Sequence, residues 1–179
     1  MPDSRKHRGP APKDSTLFGS AYHYALRAAV ADLSWLLTRH YSEKAALKLV
    51  GDRYNLRERQ RLAVQRSDQA LCYRQKQELA INQIHGQALV IDTYNLLILI
   101  ESVLAGAYIF KGRDGWYRDL AGIHGNYRKV AETVPAIETI GSFLQNCHCR
   151  PITWLIDQPV SNYGLLTQGQ WYWPQFSAC

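Results

Sequence analysis

Two aspartates stand where a sheet would present them to a ligand. Asp92 closes the apolar run Ala88-Leu-Val-Ile91, and Asp157 closes Ile152-Thr-Trp-Leu-Ile156. In an open parallel sheet the ligand crevice lies beyond the carboxyl ends of the strands, so acids distant in sequence can meet there. Glu101 follows Asp92 by nine residues, so it reaches that crevice only if the helix carrying it tilts over the sheet. Asp114 and Asp119 follow a third apolar run, Ala107-Tyr-Ile-Phe110. Acids gathered in this way raise one another's pKa unless a cation accepts their oxygens. Magnesium and manganese choose carboxylate and water ligands, and such ions support hydrolysis of a phosphodiester. Asp92, Glu101, Asp114 and Asp157 are therefore the candidate metal ligands. Local roles compete for two of them: Asp114 can cap a helix, and Asp157 can make a turn before Pro159. Asp92 is harder to assign to the backbone alone, because aspartate is a poor strand former directly after Leu-Val-Ile.

A second constellation is basic. Residues 1–80 carry 15 Lys and Arg against 8 Asp and Glu, whereas residues 81–179 carry 6 against 7. Arg53, Arg57, Arg59, Arg61 and Arg66 fall within fourteen residues, with Arg57 and Arg61 one turn apart on one helical face. Guanidinium groups bind phosphates bidentately, so these arginines, with Arg118 near the acids, are candidate contacts to RNA or another nucleic acid. No motif fixes a groove or a base, which speaks against sequence-specific DNA reading. A helical face merely solvated by arginines reads the same way.

The elements that must position these groups fall into three stretches. Residues 1–21 begin with a charged, proline-containing segment with little to bury, which predicts a disordered basic tail. Residues 22–85 read as a basic helical module. Leu26, Ala29, Val30, Leu33, Leu36 and Leu37 form a first apolar stripe. Ser42 caps a second helix that Gly51 stops, and Asn55 with Glu58 forms a capping box for a third. A fourth helix is predicted over 68–82. Residues 86–179 read as a small α/β domain, its three short apolar runs being strands buried on both faces of a parallel sheet. Helices are predicted over 116–123 and 132–144.

The runs GDRYNLRERQR, GRDGWYRDL and DQPVSN carry a resemblance. From about Val30 to Gly164 the chain resembles the prokaryotic helical module called domain of unknown function 434 and the α/β domain that accompanies it. That family brings no established activity. More distantly, a strand ending in Asp, then Tyr-Asn and a helix, is similar to the opening of the PIN-like and NYN-type metal-dependent ribonucleases. The resemblance implies that Asp92, Glu101 and Asp157 are the catalytic acids. It makes Ser161 and Asn162 auxiliary polar groups, and Asp114 and Asp119 the family's own additions. Against it, Tyr163 stands where a serine is usual and residues 167–179 contain no acid, which predicts a PIN-like sheet shortened at its C-terminal end.

Other constellations are weaker. Cys147-His148-Cys149 is too closely spaced for the usual zinc knuckle, so ordinary thiols are expected. His85 and His124 have no visible partner. Trp171, Tyr172 and Trp173 suit packing better than base stacking, and residues 165–179 are expected to cover the sheet edge or to form a homodimer contact. The four cysteines make no disulfide framework, and neither a signal sequence nor a membrane span is evident. A cytoplasmic protein follows. The leading expectation is a magnesium- or manganese-dependent ribonuclease, the alternative a non-catalytic nucleic-acid-binding or protein-interaction module.

Overall fold

A computed structural model describes residues 8–68, 79–121 and 127–156. Among these, seven helices and four short strands form a mixed α/β architecture in two compact units. No helix among the described residues is long and apolar enough to cross a membrane.

The helical unit comprises described residues 10–68 and 107–120. Its centre is α2 (Ser20–Leu37), which buries Ala29, Leu33 and Leu36 against Ala46 and Val50 of α3 (Glu43–Arg53) and Val64 of α4 (Glu58–Ser67). The stripe read from sequence is the one buried, because residues three and four apart share a helix face. Ser42 caps α3 as expected, its Oγ accepting from the Ala45 N–H at 3.4 Å. Two expected boundaries are different. Gly51 does not stop α3. It lies inside the helix, buried, where the Arg61 guanidinium occupies the space that a Cβ would fill. The capping residue of α4 is Arg57, whose N–H donates to Gln60 Oε1 at 3.0 Å, while Asn55 takes a left-handed turn conformation.

Residues 14–21 are not a disordered tail. Asp14–Leu17 form α1, and Phe18 packs in a second small core with Ala63 and Leu120. The third apolar run is also corrected. Phe110–Lys111 (β2) pairs antiparallel with Tyr117–Arg118 (β3), so 107–120 is a hairpin of the helical unit, and no helix starts at 116. Phe110 meets the Phe18 ring edge-on at 4.9 Å and Tyr108 meets it at 5.4 Å. Those aromatic contacts, with the Arg113 N–H donating to Ser67 O at 3.0 Å, hold the hairpin to the helices.

The α/β unit comprises described residues 8–9, 79–106, 121 and 127–156. After α5 (Ile81–Ile84), Leu89–Asp92 (β1) pairs in parallel with Ile152–Leu155 (β4), in the register Leu89↔Ile152 through Asp92↔Leu155. Helices α6 (Thr93–Leu104) and α7 (Thr133–Asn146) supply Leu97, Ile98, Ala136, Ile140 and Leu144 to the core, with Tyr94, Tyr127, Cys147 and Cys149. The parallel sheet is thus two-stranded among the described residues. Among the described residues it is covered on one face: Leu89 and Ile91 point to the core while Val90 is 68% exposed. Most of the helix expected over 68–82, and the whole tail 165–179, lie outside the described residues.

Candidate functional site

Asp92 sits at the carboxyl end of β1 and at the same time caps α6. Its Oδ1 accepts from the Asn95 N–H at 3.3 Å and its Oδ2 from Asn95 Nδ2 at 2.6 Å. The Asp92-Thr-Tyr-Asn95 sequence builds this locally: the acid satisfies an orphan amide of the first turn, and the asparagine side chain returns to orient it. The carboxylate stays exposed, with no basic partner among the described residues. Because β1 and β4 are parallel neighbours, Asp92 is level with Leu155, two positions before Asp157. Asp157, Ser161 and Asn162 themselves lie outside the described residues.

Glu101 is placed differently from expectation. It is fully buried, about 13 Å further along α6 at 1.5 Å per residue. Its Oε1 accepts from Tyr127 Oη and from Thr133 Oγ1, each at 2.6 Å, and its Oε2 pairs with Arg8 Nε. Arg8 also donates to Arg128 O at 3.2 Å and lies 5.4 Å from the centre of the Tyr127 ring. Both carboxylate oxygens are committed inside the protein. Burial, followed by the Glu101 charge and its hydrogen bond, pushes the Tyr127 hydroxyl far above its ordinary range, so it stays a neutral donor. Glu101 therefore does not suit a metal: its counter-charge is an arginine, and its tilt toward the sheet end is unnecessary.

The remaining acids are held by arginines within the helical unit. Asp114 pairs with Arg118 and accepts the Trp116 N–H at 3.2 Å, closing the β2–β3 turn; it caps no helix. The Arg118–Asp114 pair lies directly over Gly112, where a Cβ would collide with both. Asp119 is 9% exposed. Arg66 Nη1 donates to its backbone carbonyl at 2.6 Å and lies 3.5 Å from its carboxylate. No group of three or more His, Cys, Asp or Glu suited to a metal ion occurs among the described residues.

The arginines expected to meet phosphates mostly face inward. Arg59 is bound to Asp14, and Arg61 donates to Asp52 Oδ1 at 2.8 Å and to Leu56 O at 2.9 Å. Arg66 and Arg118 are engaged as above. Arg57 is exposed, and Arg53 keeps 70% of its side chain in solvent despite a 3.4 Å approach to Asp32. Sequence spacing located the helix but not the acids, because those acids come from α1, α3 and the hairpin. Asp14 was not legible as the partner of Arg59, nor were Arg8, Tyr127 and Thr133 as the partners of Glu101, because these contacts span 26 to 93 residues.

Cys147 and Cys149 are buried in the α/β core, Cys149 Sγ donating to Ile84 O at 3.3 Å. Burial raises the Cys149 pKa and keeps it a thiol. His85 stacks edge-on with His148 at 5.0 Å, and His124 lies outside the described residues.

Comparison with known proteins places these features in context. Residues 81–170 match the family described as Domain of unknown function (DUF5616), and residues 25–70 match Protein of unknown function (DUF434). An uncharacterized protein of Methanocaldococcus jannaschii is 26% identical over 147 residues, which cover 80% of this chain and 70% of that relative. No solved structure matches at a significant level.

Proposed function

This chain belongs to the family described as Domain of unknown function (DUF5616), and from that premise we propose that its α/β unit hydrolyses phosphodiester bonds in RNA at the carboxyl ends of β1 and β4. The observation that carries this reading is the parallel pairing of those strands, which brings the exposed carboxylate of Asp92 level with the end of β4. Ligand crevices of parallel sheets open at that end.

Of the four acids expected to hold the metal, Asp92 and Asp157 remain in this proposal, with Ser161 and Asn162 as auxiliary groups. An exposed carboxylate with no basic partner among the described residues fits magnesium or manganese, which need only one or two protein carboxylates beside water and phosphate. The chemistry such an ion supplies, when bound, is activation of water and neutralisation of phosphate charge. Asn95 fixes the direction of the Asp92 carboxylate through its 2.6 Å hydrogen bond. The α6 N-terminus adds a partial positive charge beside the same point, which favours an approaching phosphate. Glu101 acts through position only: held by Arg8, Tyr127 and Thr133, it anchors α6 and leaves no oxygen for the reaction. Exposed Arg53 and Arg57 of the helical unit would add RNA affinity that falls with salt.

A second reading has its own support. Asp92 already has a complete structural task as the α6 cap, which favours a non-catalytic nucleic-acid-binding or protein-interaction module.

The two readings separate in a cleavage assay on single-stranded RNA with magnesium or manganese. Asp92→Asn keeps the capping oxygen, because Asn and Asp cap equally well, and removes the charge; the Asn95 amide turns over so that its oxygen accepts from the new Nδ2. The hydrolytic reading expects at least about 100-fold loss in Asp92→Asn and in Asp157→Asn at unchanged melting temperature. Activity that survives both substitutions, or its complete lack in the native chain, overturns it.

A further inference from the structure

The helical unit contains a cavity of about 680 Å³ that the α/β site does not use. That volume is within the range of small-molecule sites. Its walls are apolar: Leu26 and Val30 of α2, Ala63 and Val64 of α4, and Phe18 with Phe110. The lysine and arginines that line it meet no residue of opposite charge in that lining. Arg27, Lys111 and Arg113 contribute to it, and no acid is among the described residues that line it.

Arg27 contrasts with several arginines of the same unit. Arg53, Arg59, Arg61, Arg66 and Arg118 each approach an aspartate, whereas Arg27 has no hydrogen bond or ion pair among the described residues. Lys111 lies 5.6 Å from the centre of the Tyr117 ring, which leaves its ammonium without a protein counter-charge in that contact. His23 completes the rim, its Nε2 donating to Phe18 O at 3.0 Å. Apolar walls beneath Arg27 and Lys111, with no acid among the described residues that line the cavity, are complementary to an apolar body that carries an anionic head. A neutral apolar molecule would leave those charges unanswered, and a free inorganic anion would leave the walls empty.

We propose that this cavity binds a small organic anion, its apolar body against Leu26, Val30 and Val64 and its carboxylate or phosphate at Arg27 and Lys111. Both heads present the same chemistry to the rim, and the test distinguishes them.

Calorimetric titration of the full chain with decanoate, with phenyl phosphate and with uncharged benzyl alcohol provides that test. For ligands of about ten heavy atoms, binding at about 0.1–1 mM is expected for at least one anion, with benzyl alcohol at least about tenfold weaker. The preferred anion identifies the head and body. Arg27→Gln together with Lys111→Gln should weaken the preferred anion about tenfold or more. Ala31→Phe, at an exposed lining position of α2, should block it by filling the cavity while the helix remains intact. Absence of binding by both anions, equal binding of benzyl alcohol, or unchanged affinity in both variants overturns the proposal.

Discussion

In the helical unit the buried carboxylate of Asp14 is met by Arg59 and by the Ala11 N–H, whereas in the α/β unit the buried carboxylate of Glu101 is met by Arg8 and two hydroxyls. Each acid is fully buried and each has a guanidinium partner. The difference lies in the remaining donors. An amide has no proton to lose at accessible pH, while a tyrosine hydroxyl does. Alkaline pH should therefore weaken the Glu101 site through Tyr127 and leave the donors of the Asp14 site unchanged.

For Asp14, burial alone would raise the pKa, but the Arg59 hydrogen bond, the Ala11 amide and the Arg59 charge together hold it below its ordinary 3.8. A folded-state pKa below the unfolded value contributes stability that is present above about pH 4 and lost as pH falls further. For Tyr127 the folded pKa is above the ordinary 10, so its contribution is complete below pH 10 and lost as pH rises beyond it.

The largest expected effect tests whether the Glu101 network is the firmer anchor. Glu101→Ala strands Arg8, which is 13% exposed, and should cost about 3–5 kcal/mol in urea unfolding followed by circular dichroism. A loss under about 1 kcal/mol would show that the buried pair is not holding α6. Asp14→Ala should cost less, about 2–3 kcal/mol, because Arg59 keeps 32% of its side chain in solvent and can be rehydrated. The same variant should flatten the acid limb of the stability profile below pH 4 and leave the alkaline limb alone.

Tyr127→Phe sharpens the contrast from the other side. It removes one donor to Glu101 while Thr133 and Arg8 remain, so about 1–2 kcal/mol is expected. Its unfolding between pH 9 and 11 should show a weaker decline than the native chain, and an unchanged alkaline limb would contradict the assignment. The smallest effects concern the caps. Ser42→Ala in the helical unit and Asp92→Ala in the α/β unit should each cost about 1 kcal/mol. Asp92→Asn should cost almost nothing. Thermal melts of all three variants check this, and a large loss in Asp92→Asn would assign the aspartate charge a structural role.

The apolar stripe of α2, the α7 segment and the strands β1 and β4 were all legible in the sequence. So was Asp92 as a residue with a special position. Each depends on spacing within a few residues: three and four for a buried helix face, one run of four or five for a short strand. Ser42 and Asp92 sit next to the amides they satisfy, so their capping is a local property too. Family membership is equally a property of the chain, since residues 81–170 carry it without reference to any contact.

What the tertiary structure decided was the partner of each charge. The same arginine-rich helix suits a phosphate surface or a set of internal counter-ions, and its own residues do not distinguish the two. Asp14 and Asp119 decide it, from 45 and 53 residues away. The run Ala107–Phe110 satisfied the pattern of a parallel strand. It became half of a hairpin because Tyr108 and Phe110 find Phe18, and because Asp114 and Arg118 close the turn over Gly112. Glu101 lay on the expected helix, yet its distance from the strand end and its burial against Tyr127 and Thr133 made it an anchor. Charge pairing and burial are set by which surfaces meet, and a carboxylate taken from water must find its donors wherever the fold brings them.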